Sequence, residues 1–204
     1  GKYLNGKYDR RPVAGKDLTL SIDLNLQALG ERLLEGKIGS IVAIEPSTGE
    51  VLAMVSSPTY DPRIMVGRSR GKSHRMLQHD LWKPLLNRSI MGLYPPGSTF
   101  KTSQALTFLS VTPGTAFPCH RGFYYRGLHV GCHSHPAPIA LVDALSTSCN
   151  GYFCWGLYYM MGNRKRYHNV QDAMTTWRDY MVSMGFGYKL GIDLPGEKRG
   201  MIPN

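Results

Sequence analysis

GSIVAIEPSTGEVLAMVSSP, residues 39–58, carries two apolar runs on either side of a Ser47-Thr48-Gly49-Glu50 turn. Pro46 bounds the first run and Pro58 the second, a pattern that predicts an antiparallel hairpin. Upstream, KDLTLSID (16–23) alternates apolar and polar side chains and predicts a further strand. Between them, LNLQALGERLLEG (24–36) sets Leu26, Leu29, Leu33 and Leu34 on one helical face, with Asp23 as cap and Gly36 as terminator. The order strand, helix, strand, turn, strand predicts an α+β fold, an antiparallel sheet covered by helices.

Outward from there the pattern is less regular. Pro62–Asp80 is rich in Arg, Gly and Ser and reads as an exposed loop. In YPPGSTFKTSQALTFL (94–109), Pro95 and Pro96 forbid helix before them, and Phe100, Ala105, Leu106 and Leu109 then recur at helical spacing. Residues 112–138 read as irregular structure in need of a crosslink. Ile139–Leu145 predicts a short helix and Tyr152–Met161 a core helix. Val170, Met174, Trp177, Met181 and Met184 share one face of a last helix ended by Gly185. Trp82, Trp155 and Trp177 read as core residues. No repeat or interior linker divides the chain, which reads as a single domain over residues 1–204.

Composition narrows the classes. Of 204 residues, 42% are hydrophobic and 10% aromatic, which excludes disorder, and four cysteines are too few for a disulfide scaffold. The net charge of +10 favours anionic partners, but Lys and Arg are scattered, with modest clusters at Arg68–Arg75 and Arg164–Arg166, so nucleic acid is not expected. The longest uncharged stretch, Ala144–Asn163, opens on Ser146, Thr147, Ser148 and Asn150; it reads as a loop entering a buried helix, not a membrane span. Gly1–Arg11 is polar and basic and lacks the apolar core of a signal peptide.

Chemistry concentrates at Ser98. It follows Pro-Pro-Gly at a predicted helix start, and Lys101 stands three residues later on the same face. An amine near the positive end of a helix dipole, among apolar neighbours, is pushed towards its neutral form and can act as a base for a serine. The plainer alternative is that Ser98 only caps its helix, and Ser69–Lys72 repeats the spacing in the basic loop. About fifty residues on, Ser148-Cys149-Asn150 adds a second hydroxyl and an amide, either a helix cap before Tyr152 or a partner for Ser98. S-x-x-K followed by S-x-N is a pairing known from penicillin-binding proteins and class A β-lactamases.

The resemblance extends beyond the pairing. GSIVAIEPSTGEVLAMVSSPTYDP, KPLLNRSIMGLYPPGSTFK and GIDLPGEKRG resemble the transpeptidase domain of class B penicillin-binding proteins over nearly the whole chain, most of all the cell-elongation branch, penicillin-binding protein 2. The resemblance implies the penicillin-binding protein/serine β-lactamase-like fold and a peptidoglycan D,D-transpeptidase without a catalytic cofactor. Ser98 would attack the penultimate D-Ala carbonyl of a stem peptide, and Lys101 would take its proton. Ser148 would relay a proton to the leaving D-Ala, and Asn150 would hold the substrate amide. The Ser98 N–H would give half of an oxyanion hole. The family's K-T-G strand, opposite the serine, has no counterpart in the 204 residues, so the chain is expected to be a partial domain, inactive alone. The implied setting is the periplasmic face of the bacterial inner membrane, anchored by a segment outside this chain. The implied partners are stem peptides, β-lactams, a membrane glycan polymerase and the elongation complex.

The cysteines leave alternatives open. Cys119, Cys132, His135 and Cys149 offer three thiols and an imidazole, a reasonable tetrahedral zinc set at a spacing unlike standard fingers. A Cys119–Cys132 disulfide or four buried free thiols are the other readings. Some members of the resembled branch carry structural zinc ligands at matching places, which implies Zn2+ beside Ser148 and Asn150. Two rival functions remain: a β-lactamase or β-lactam-sensor domain using the same Ser98 and Lys101, and a non-catalytic, zinc-bearing basic binding module.

Overall fold

A computed structural model describes residues 3–8 and 13–203; Asp9–Pro12 within the basic amino end, Gly1, Lys2 and Asn204 lie outside the described residues. The chain forms two compact units, Gly1–Ser89 and Ile90–Asn204.

In the first unit the hairpin forms as expected. Strand β1 (Gly39–Ile44) pairs antiparallel with β2 (Val51–Ser57), with an irregularity in register between Ala43 and Ile44. Helix α1 (Leu24–Leu33) starts at Asp23, whose carboxylate accepts the N–H groups of Asn25 at 2.8 Å and Leu26 at 3.0 Å.

Two expectations fail here for one reason: partners decide, not patterns. Lys16–Asp23 is no strand. Among the described residues, its only ladder-like contacts to β2 are Asp23 N–H to Leu52 O and Ser21 Oγ to Val51 O, and Leu18 and Leu20 stay 81% and 65% exposed. Helix α1 meets β2 through Gln27 and Gly30 and leaves Leu26, Leu29 and Leu33 exposed. The Gln27 amide exchanges hydrogen bonds with both backbone groups of Met54, at 2.9 and 3.2 Å, and a side chain at Gly30 would lie 2.8 Å from Val55 Cγ2. A helix held that closely by backbone-directed bonds cannot also turn its leucine stripe inward.

The basic loop of the sequence reading is largely helical: a 3-10 turn over Pro62–Met65, capped by Asp61, then α2 (Arg70–His79). Ser69 sits at the amino end of α2 and makes no side-chain cap bond, so the decoy Ser69–Lys72 pair is a helix start. Trp82 is exposed rather than core. The short helix α3 (Arg88–Met91) opens on a buried arginine whose guanidinium donates to the carbonyls of Trp82, Lys83 and Leu86, which explains its burial without a carboxylate.

The second unit centres on α4 (Phe100–Val111), preceded by a 3-10 turn at Gly97–Thr99. Its inward residues are Gln104, Ala105, Thr107, Phe108 and Val111; Leu106 and Leu109 face outward. The 112–138 region holds an unpredicted hairpin, β3 (Gly122–Tyr125) and β4 (Leu128–Gly131). Its Arg126-Gly127 turn has both residues at positive φ, 45° and 84°, the conformation two-residue hairpins favour. Helices α5 (Leu141–Ser146), α6 (Asn150–Gly162) and α7 (Val170–Ser183) follow the expected order. Trp177 and Met181 are buried on α7 as expected, whereas Val170 is exposed. Helix α6 buries Tyr152, Phe153 and Met160 but shows Leu157, Tyr158 and Tyr159 to the outside.

Phe108 is the knob between α4 and α6: fully buried, it stacks on Phe153 at 6.0 Å and meets Tyr152 edge-on at 6.3 Å. A Cβ at Gly156 would run into its ring. Trp177 Nε1 donates to Gln104 Oε1 at 2.8 Å and ties α7 to the same helix. Gly156→Ala is therefore expected to destabilise the chain by about 1–3 kcal/mol in urea titration, through overpacking. Gly162→Ala, with open space around it, should be neutral or slightly stabilising by the same measurement.

Candidate active site

The Pro-Pro-Gly approach sets the position of Ser98. Gly97 takes φ +59°, a conformation side chains resist, and turns the chain into the 3-10 turn that carries Ser98. Ser98 is exposed at the mouth of α4, and Lys101 lies partly buried one turn inside.

Fifty residues later the chain makes a second sharp turn. Ser148 stands at φ +51° and is followed by fully buried Cys149. The N–H of Ser148 donates to Leu145 O and that of Cys149 to Ala144 O, closing α5; Cys149 Sγ then accepts the Tyr152 N–H at 3.2 Å and caps α6. The cap expected of Ser148 or Asn150 thus falls to the thiol, which leaves both polar side chains pointing elsewhere.

They point at Lys101. Its Nζ donates to Ser148 O at 2.7 Å, Ser148 Oγ at 2.9 Å and Asn150 Oδ1 at 2.6 Å. Ser148 Oγ in turn lies 3.0 Å from Ser98 Oγ. Lys101 makes no hydrogen bond to Ser98 among the described residues; the link runs through Ser148. Burial lowers the Lys101 pKa, only partly opposed by the nearby thiols, and the amine stands 5.7 Å above the Phe153 ring. With a proton lost, two N–H groups can stay on Ser148 O and Asn150 Oδ1 while the lone pair faces Ser148 Oγ. The four expected catalytic residues are therefore one connected set.

Asn150 Nδ2 donates to Gly131 O at 2.9 Å, so the carboxy end of β4 holds the amide in place. Sequence reasoning missed this support because it missed the hairpin, whose aromatic run Phe123-Tyr124-Tyr125 before Arg-Gly was the available signal. It also missed Gln104, buried one turn beyond Lys101. Because Trp177 can only donate, it fixes the Gln104 oxygen and leaves Nε2 without a partner, lining a cavity of about 260 Å³ shared with Lys101 and Asn150.

The expected metal set also converges. The donor atoms of Cys119, Cys132, His135 and Cys149 all lie within 4.8 Å of one another, and none of the cysteines is in a disulfide. Cys132 Sγ is 3.6 Å from His135 Nε2, and the other ring nitrogen faces Pro136 O at 2.8 Å, the kind of contact that orients a ligating imidazole. Burial opposes ionisation of Cys132, but the backbone N–H groups of Gly151 and Asn150 and the neighbouring His135 and Cys149 bring it down to about 7. Cys149 is pushed up to about 12, first by burial and then by its neighbours Cys119 and Cys132. Three clustered thiols cannot all ionise without a cation among them, and the donor set suits Zn2+. Gly151 permits this closeness: a Cβ there would lie 2.7 Å from Cys119 Sγ. Cys154 lies outside the cluster.

The family model for the penicillin binding protein transpeptidase domain matches residues 39–204. The chain belongs to that family. It is 35% identical to the peptidoglycan D,D-transpeptidase MrdA of Acinetobacter baumannii over 95% of its length and 28% of the relative's. Against MrdA of Escherichia coli K12 the identity is 34%, over 94% of the chain and 30% of the relative. The chain thus spans about three tenths of the length of these curated relatives. Among solved structures, Pseudomonas aeruginosa PBP2 in complex with WCK 5153 matches 96% of this chain and 42% of its own, with a TM-score of 0.75 and 34% identity. The Helicobacter pylori PBP2–MreC complex matches 90% and 33%, with a TM-score of 0.70 and 28% identity. The penicillin G acyl-enzyme of Mycobacterium tuberculosis penicillin-binding protein A matches 83% and 40%, with a TM-score of 0.69 and 25% identity. These relatives support the cell-elongation branch and the α+β transpeptidase fold. The family's acyl transfer needs no cofactor.

Proposed function

We propose that this chain is the serine-bearing part of a peptidoglycan D,D-transpeptidase domain of the cell-elongation type. The observation that carries the reading is the continuous path Lys101 Nζ–Ser148 Oγ–Ser98 Oγ, set at the mouth of α4. Ser98 Oγ attacks the penultimate D-Ala carbonyl carbon of a stem peptide. Its proton passes to Ser148 Oγ, whose own proton passes to neutral Lys101. Collapse of the tetrahedral intermediate breaks the peptide bond, and the proton returns by the same route to the departing D-Ala amine. The amine of a second stem peptide then attacks the Ser98 ester, forming the crosslink and freeing the serine. The Ser98 N–H supplies one oxyanion donor. The second donor, and the substrate-carboxylate site, belong to a K-T-G strand that these 204 residues do not contain. Asn150 meets the substrate amide with the second hydrogen of Nδ2, the first being held by Gly131 O.

Several wider features belong to the same reading. Residues 1–204 form a partial domain of a longer protein held at the periplasmic face of the inner membrane; among the described residues no helix is long and apolar enough to cross a membrane. β-Lactams acylate Ser98, in line with the penicillin G acyl-enzyme of the mycobacterial relative. The elongation complex is the partner set, in line with the MreC complex of the Helicobacter protein, and the same proposal includes a membrane glycan polymerase to supply the strands.

Intact-protein mass spectrometry after incubation with penicillin tests the reading, on the chain alone and on the chain extended through a K-T-G strand. The extended chain should gain one lasting adduct that Ser98→Ala abolishes. Ser148→Ala should slow its formation about 10²–10⁴-fold, the range for lost acid–base assistance. An adduct that clears within minutes would favour the β-lactamase alternative. An unmodified extended chain would leave the zinc-bearing binding module in front.

The cluster of Cys119, Cys132, His135 and Cys149 is the structural Zn2+ site of this proposal. Bound there, Zn2+ supplies a fixed charge that holds three thiolates together, and Cys149 carries that rigidity to Ser148 and Asn150 on either side. Metal analysis of the purified chain should find one zinc per chain, lost in Cys132→Ser. Removing the metal should lower the unfolding temperature. A chain that is metal-free as purified and no less stable after chelation would sink this part of the reading.

A further inference from the structure

A large concavity of the second unit lies at the opposite end of α4 and α6 from Ser98. It encloses about 1130 Å³ and is lined by Phe117, Tyr125, Tyr158, Tyr159, Arg164 and Lys165, among others. Its walls are aromatic faces in ordered pairs. Phe117 and Tyr159 stack at 5.2 Å with planes 20° apart, and Tyr125 and Tyr158 approach to 4.6 Å. Tyr158 and Tyr159 remain 39% and 52% exposed although both belong to the core helix α6. The rim is cationic: Arg164 and Lys165 line it, Arg126 lies 5.3 Å over the Tyr125 ring, and no Asp or Glu contributes.

We propose that this cleft binds the glycan strand of peptidoglycan, its N-acetylhexosamine rings lying on Tyr158 and Tyr159 and its carboxylates on Arg164 and Lys165. The proposal rests on the transpeptidase reading and extends it to the sugar half of the substrate. Three physical features select this occupant. Pyranose rings present flat C–H faces that lie on exposed aromatic rings, and their hydroxyls and acetamido groups reach rim donors such as Asn163 and Thr115. Muramyl residues carry a carboxylate, or a stem peptide that ends in one, which matches a rim with cations and no acid. The distance also fits. The 12 residues of α4 separate Ser98 from the cleft, a helix of about 18 Å. A lactyl group and four extended stem residues reach about 17 Å. A strand in the cleft can therefore deliver its own peptide to the serine. A cleft larger and more open than a small-molecule site suits a polymer.

The test is fluorescence anisotropy with a reducing-end-labelled glycan strand of alternating N-acetylglucosamine and N-acetylmuramic acid, its stem peptides removed and its lactyl carboxylates kept. The chain should bind it, and Tyr158→Ala and Tyr159→Ala should each weaken binding about tenfold, the loss typical of one stacked ring. Arg164→Ala with Lys165→Ala should weaken binding and reduce its salt dependence. Should the tyrosine variants fail to fold, competition on the unmodified chain decides. Neutral N-acetylglucosamine hexamer displacing the strand supports the cleft. Polyglutamate displacing it while the hexamer does not would mark a general anionic or acidic-peptide surface and overturn the proposal. Unchanged binding in well-folded tyrosine variants, or no binding at all, would overturn it too. The penicillin adduct on the extended chain separates the two readings. An adduct without strand binding defeats the cleft alone, and strand binding without an adduct defeats the catalytic assignment alone.

Discussion

The second unit depends on one knot of hydrogen bonds: the Lys101 amine held by Ser148 O, Ser148 Oγ and Asn150 Oδ1. Two of the acceptors belong to Ser148, at positive φ in the turn between α5 and α6, and the third to Asn150 at the start of α6, with Cys149 buried between them. A partly buried lysine would be costly if left unpaired, and a left-handed serine would be costly if left unsupported. Each offsets the cost of the other. The result is two hydroxyls 3.0 Å apart with the Lys101 amine behind them and Ser98 exposed.

The surroundings secure that knot from below and from the side. Below, Phe108, Tyr152 and Phe153 fix the crossing of α4 and α6, so the two helix starts that bear Lys101 and Asn150 are held in register. From the side, β4 reaches Asn150 through Gly131 O, and the thiol and imidazole cluster brings residues 119, 132 and 135 to Cys149. A metal there would lock two separate segments, one before β3 and one after β4, to the residue between Ser148 and Asn150. That arrangement gives a physical reason for placing a cysteine at the middle of the S-x-N turn.

Much of this was legible in the residues, and the failures share a cause. Proline and glycine punctuation located the β1–β2 hairpin, the start of α4 and the ends of α1 and α7, because these residues restrict the backbone directly. Residue type and family motif pointed to Ser98, Lys101, Ser148 and Asn150, which the fold joins in one hydrogen-bonded set, and ligand chemistry pointed to four donors that the fold brings within 4.8 Å of one another. Errors arose wherever the outcome depended on what lay across from a segment. The Lys16–Asp23 alternation found no strand to pair with. The leucines of α1 lost their place to Gln27 and Gly30, which bond or approach β2 more closely. The Arg-rich segment 70–79 is helical despite its composition. Ser148's position between Lys101 and Ser98 is likewise a tertiary fact, since spacing alone suggested a direct contact.

Lys101 and the Ser148–Asn150 turn form one energetic unit. A double-mutant cycle on unfolding free energy, Lys101→Met against Asn150→Leu, measures that coupling most directly. With the amine protonated, a coupling of about 1.5–3 kcal/mol is expected, the worth of a hydrogen bond to a charged group. Effects that add within about 0.3–0.5 kcal/mol, as expected of independent sites, would contradict it.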